Sequence, residues 1–135
     1  MHGDINAVVV EYGVLQDHLA CANPRHNNRF FGLEEAFPPY TFQGVRRDVR
    51  ISALEGWRMF FCEPWSHHFK SSDFQLPVGV QGNALLVASR KKDSDVLEVA
   101  AMGLIDVVTK ETESKTLATS HNGAFWYRVA KAHGN

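Results

Sequence analysis

The sequence predicts an α+β domain whose antiparallel sheet is built largely from hairpins, with one or two helices beside it. Three observations carry this: period-two alternation over 45–53, an Asn122-Gly123 turn signal between two β-prone runs, and helical spacing of apolar residues in two short segments. At 135 residues the chain has the length of one domain, 1–135, and can bury a core without disulfide or metal staples.

Residues 7–12 open with Ala7-Val8-Val9-Val10 and read as a strand. Over 14–22, Val14, Leu15, His18, Leu19 and Ala22 have helical spacing, ended by Asn23-Pro24. The span 23–44 is broken by Asn27-Asn28, Gly32, Pro38-Pro39 and Gly44, too often for a regular element, so it is expected as a long loop. Its Phe30, Phe31, Leu33, Phe37, Tyr40 and Phe42 call for burial, and the loop is therefore expected to be ordered and packed.

Val45, Arg47, Val49, Ile51 and Ala53 alternate with Arg46, Asp48, Arg50 and Ser52. With Leu54-Glu55-Gly56 as the turn, this run is expected to pair with Trp57–Glu63 as the hairpin 45–53/57–63, setting Ile51 opposite Met59 and Val49 opposite Phe61. The solid apolar run within 83–90 reads as a central strand. Segment 95–109 is ambiguous. Its apolar residues fall on one helical arc with Ser94 as a cap, which favours a helix, while Val96, Val99, Ile105, Val107 and Val108 are β-branched and 91–94 would serve as a hairpin turn. Asn122-Gly123 tolerates the positive φ of a tight turn and predicts the hairpin 115–121/124–131, with Phe125, Tyr127 and Val129 inward.

Fourteen Lys plus Arg against fifteen Asp plus Glu leave no general pull toward polyanions, which argues against nucleic acid as the partner. The N-terminal apolar run lacks a basic flank and is interrupted by Glu11, Gln16 and Asp17, unlike a signal peptide. No stretch approaches the ~18 apolar residues that would cross a bilayer. Two cysteines, Cys21 and Cys62, read as reduced thiols, and a cytoplasmic setting without membrane contact is expected.

No Gly-x-Gly-x-x-Gly, P-loop or His-Glu-x-x-His occurs, and no cofactor is expected. Eleven of the fifteen aromatic residues lie between Phe30 and Phe74 among several arginines, which concentrates in one region the residue types that dominate binding surfaces. Arg46, Arg50, Arg58 and Phe60 on one face of the expected hairpin, with Trp65 and Phe69 beyond, form the candidate ligand surface, since guanidinium groups fork onto carboxylate or phosphate and stack on planar groups. The expected role is a small binding domain for a protein partner or a small anionic or planar ligand. Self-association as a homodimer fits the same surface. The alternative is a Cys/His-dependent enzyme or metal protein. Cys62, His67 and His68 lie within seven residues, with Asp73 as an orienting carboxylate or His121 as a further ligand, but the paired spacings of zinc sites are missing.

Overall fold

Among the described residues, eight strands make up most of the fold: β1 (Val8–Val14), β2 (His26–Leu33), β3 (Arg46–Arg50), β4 (Trp57–Pro64), β5 (Ala84–Lys91), β6 (Val96–Leu104), β7 (Thr119–His121) and β8 (Ala124–Ala132). One helical turn, α1 (Ile105–Val108), follows β6. They belong to a computed structural model that describes residues 8–14, 26–34, 41–64, 69–80, 82–91 and 94–132. All strand pairs are antiparallel, and they form two sheets rather than the single one expected: a five-stranded sheet in the order β3-β6-β5-β2-β4 and a three-stranded sheet in the order β1-β8-β7.

The five-stranded sheet is apolar on both sides, and its central strand β5 sends alternate residues into two different cores. Leu85 and Val87 of β5 join Phe30, Phe61, Ala101 and, from the small sheet, Tyr12, Val14, Ala124 and Trp126. Ala84, Leu86 and Ala88 of the same strand join Phe31, Trp57, Ala100, Leu54 and Phe42. A strand buried on both faces reads as a continuous apolar run, which is what 84–88 is. Phe30 is the hub of the first core. It is fully buried, stacks on Phe61 at 4.4 Å and on Phe69 at 5.7 Å, and meets Tyr12 edge-on at 5.8 Å.

The 45–53/57–63 hairpin does not form. β3 pairs with β6 and β4 pairs with β2, so three strands separate them in the sheet order. Within the supposed ribbon Asp48 takes φ 56° and Ile51–Ala53 coils into a 3-10 turn, with the Ile51 N–H donating to the Asp95 carbonyl. Residues 26–33, expected inside the long loop, are instead β2, held between β4 and β5. Residues 23–25 and 35–40 of that span, and the 15–22 part of the expected 14–22 helix, lie outside the described residues. Strand β1 matches the expected 7–12 strand and runs on to Val14.

Segment 95–109 is strand β6 followed by the single turn α1, not a helix of that length. Its β-branched residues settle on the extended form, and apolar Val96, Ala100, Met102 and Leu104 on the less buried face mask in the sequence the alternation that would have betrayed a strand. β5 and β6, consecutive in the chain, pair antiparallel as the alternative hairpin reading required, while residues 92 and 93 of its turn lie outside the described residues.

Asn122 and Gly123 have φ 49° and 77° and close the β7–β8 hairpin as expected, although only Thr119–His121 is strand before the turn; Lys115–Leu117 is a 3-10 turn. The tip is also a fastening. Asn122 Nδ2 donates to the carbonyls of Phe42 and Met102, and the Gly44 N–H donates to the Asn122 carbonyl at 2.8 Å, which ties the small sheet to both the 41–44 segment and β6. Phe125 is half exposed rather than inward; Ala124 and Trp126 fill the inter-sheet core instead. Tyr127 and Val129 are buried as expected, beneath the segment after α1, whose Thr112 N–H donates to the Arg128 carbonyl and whose Lys115 ammonium lies over the Tyr127 ring. No helix among the described residues is long and apolar enough to cross a membrane.

Two substitutions test this packing. Phe30→Ala is expected to cost about 3–5 kcal/mol, seen as a lower urea midpoint at unchanged slope. A Cβ on Gly103 would sit 2.4 Å from His121 Cδ2 and 2.6 Å from Val108 Cγ1, so Gly103→Ala should destabilise by roughly 1–3 kcal/mol in the same measurement.

Candidate functional site

Arg29 lies in the middle of β2, with Cys62 of β4 as its register partner on one side and Ala88 of β5 on the other. Directly paired residues share a face of the sheet, and so do residues two apart along a strand. Arg29 therefore lies on the face of Ala88 and Phe31, together with Arg90, which is two residues beyond Ala88. The side chain is 5% exposed, yet its Nε has no hydrogen-bond partner. Among the described residues its Nη1 donates to the Met59 thioether sulfur alone, at 3.1 Å, a weak acceptor for a charged donor.

A β-bulge brings these groups together. Phe30 pairs with Phe61, but Phe31 pairs with Met59, leaving Phe60 as the extra residue on β4. In a regular strand, Cys62 and Met59 would point to opposite sides. With the bulge between them, both are partners of β2 residues on one face, Arg29 and Phe31. Cys62 is a free, exposed thiol and Met59 is 46% exposed, so the buried guanidinium has solvent-facing sulfur groups beside it.

Burial holds the pKa of Arg29 below its ordinary value, Cys62 raises it and the neighbouring Arg90 lowers it further. Folding thus works against this charge at every pH at which it is carried. Arg90 donates from Nη1 to the Ser94 carbonyl and leaves its own Nε without a partner. Among the described residues, neither arginine has an ion pair with a carboxylate. Two guanidinium groups within electrostatic reach, one of them buried, and a thiol at their edge make a site complementary to a forked anion such as a carboxylate or phosphate.

The surface expected from sequence is not assembled in this way. Arg46 and Arg50 are exposed on edge strand β3, and Arg46 Nε donates to the Gln43 carbonyl at 3.4 Å. Arg58 is on β4 at the other edge, where it forms an ion pair with Glu34 across the β2–β4 pair. Phe60, the bulge residue, packs half-buried against the inter-sheet core, and Phe69 is inside that core. Trp65 lies outside the described residues, as do His67 and His68.

The alternative Cys/His set is also scattered where it is described. The Asp73 carboxylate accepts from the Lys70 N–H within its own 3-10 turn. His121 Nε2 accepts from the Leu104 N–H at 3.1 Å and packs on Gly103 of β6, three strands across from Cys62. Among the described residues no three His, Cys, Asp or Glu side chains are grouped to hold a metal ion.

Sequence reasoning missed Arg29, Met59 and Arg90 as a group. The available signal was an arginine directly before Phe30-Phe31, which becomes a buried charge once 26–33 is a strand. No protein-family model, curated protein or solved structure matches this chain.

Proposed function

We propose that this chain binds a small anionic ligand, with a carboxylate or phosphate of the ligand seated on Arg29 and Arg90 beside Cys62. The observation that carries the reading is Arg29, a guanidinium only 5% exposed with Nε unpaired and a thioether as its described acceptor. Moving an ion out of water costs several kcal/mol even after relaxation, and a buried cation without a counter-charge leaves that cost standing. A bound anion offsets it and supplies the hydrogen-bond acceptors that the guanidinium lacks. The reading keeps the small anionic ligand expected from the sequence and moves it from the 45–63 segment to β2, β4 and β5. It belongs with a cytoplasmic, reducing setting, in which Cys62 remains a thiol.

Thermal and chemical unfolding with phosphate or malonate, against chloride at matched ionic strength, tests this. Stabilisation should rise as RT ln(1 + [L]/Kd), about 2.7 kcal/mol at a hundred times Kd. Arg29→Met removes the charge while keeping the apolar stem, so the anion-specific gain should vanish and stability without anion should be equal or higher. Arg50→Ala, on the far edge strand, should leave the gain in place. An equal anion response in Arg29→Met, or a loss of several kcal/mol in its anion-free stability, would contradict the reading.

A further inference from the structure

We propose that Cys62 is a thiol–disulfide exchange site selective for acidic low-molecular-weight disulfides, whose carboxylate is held by Arg29 and Arg90 while the sulfur meets Cys62. The proposal rests on the anion-binding reading and adds the chemistry that the site performs on its ligand.

An exposed thiol alone specifies nothing. Here it is the direct register partner of a buried guanidinium that lacks a carboxylate among the described residues, with a second guanidinium on the same face. Cross-strand partners in an antiparallel pair stand about 5 Å apart at Cα, so a ligand a few atoms long reaches sulfur and guanidinium together. The β4 bulge keeps Cys62 on the arginine side of the sheet, and Met59, the other group touching Arg29, is half exposed and flexible enough to yield to an incoming carboxylate.

In the step itself, Cys62 gives up its proton and the thiolate attacks one sulfur of the disulfide RSSR. A Cys62–S–S–R bond forms, the original S–S bond breaks and RS⁻ leaves to take up a proton. Cys62 is oxidised, the departing half is reduced and no other oxidant enters. The positive pair attracts the acidic reagent and holds its carboxylate beside Cys62.

The full chain is treated at low ionic strength with three disulfides: 5,5′-dithiobis(2-nitrobenzoate), which carries a carboxylate on each half, neutral 2,2′-dithiodipyridine and cationic cystamine. Each rate is divided by that reagent's rate with 2-mercaptoethanol, and modification is followed on the tryptic peptide containing Cys62, so that Cys21 is scored separately. The normalised rate should be about tenfold or more higher for the acidic than for the cationic reagent, falling as salt is added. In Arg29→Met the ratio should collapse toward one. Arg90→Gln should lower the ratio severalfold as well, and the salt dependence of the unaltered chain is read beside both variants. Rates indifferent to reagent charge, or a preference that survives both substitutions, would overturn the proposal. Phosphate titration of Cys62→Ser separates the two ideas. Anion stabilisation without charge-selective exchange overturns the exchange step and leaves the binding reading standing, whereas loss of both overturns both.

Discussion

Phe30 is the residue on which the rest of the arrangement depends. Its ring is fully enclosed between the two sheets, touched by aromatic side chains from β1, β4 and the 69–74 segment. Large aromatic surfaces buried this completely are among the strongest single contributions to a core, and side chains in a strand alternate strictly between faces. Once Phe30 is committed to the inter-sheet core, Phe31 and Arg29 must both face the other way. Slipping the strand by one residue would place a guanidinium in the aromatic cluster, which the burial of that cluster forbids. The charge at the candidate site is therefore a consequence of packing on the opposite side of the sheet.

Two further local choices turn that buried charge into something with chemical potential. The bulge at Phe60 resets the alternation of β4, so Cys62 and Met59 fall on the arginine side. Phe60 itself packs toward the inter-sheet core and is thereby fixed as the odd residue. On β5, Leu85 and Val87 belong to the inter-sheet core, and the same alternation places Ala88 and Arg90 on the face of Arg29. Three strands, each anchored by apolar residues on the opposite side, thus present two arginines and a thiol to one another. Rigid elements rather than loops hold the groups, which suits a site that must keep a charge and a nucleophile in fixed relation.

The sequence disclosed local geometry well and partner choice poorly. Asn122-Gly123 could be read because positive φ is a property of those two residues, and the run Ala84–Ala88 because only a strand with two covered faces is so uniformly apolar. The hairpin at 54–56 failed for a different reason. Alternation in 45–53 says that a strand is half-buried and says nothing about which strand pairs with it, and β3 found β6 across more than forty residues. Two other elements were disguised. β6 shows no period in its sequence because apolar residues also occupy its less buried face, and β2 carries Asn27-Asn28 and Gly32, residues that otherwise mark turns. Gly32 is explained by crowding, since a Cβ there would lie 2.9 Å from Leu76 and 3.0 Å from Val80. Because β2 was hidden, so was Arg29, and the arginines that drew notice were the exposed ones on β3 and β4. The reason for the left-handed backbone at Asp48 is in keeping with an edge strand, where a kink and charged side chains discourage pairing with another chain.

Backbone NOE spectroscopy of the isotopically labelled chain tests the central claim most directly. Cross-strand contacts should join Arg29 to Cys62 on one side and to Ala88 on the other, with Val49 next to Leu97. Contacts joining Ile51 to Met59 and Val49 to Phe61 would put β3 beside β4 and remove the buried arginine from the heart of the sheet.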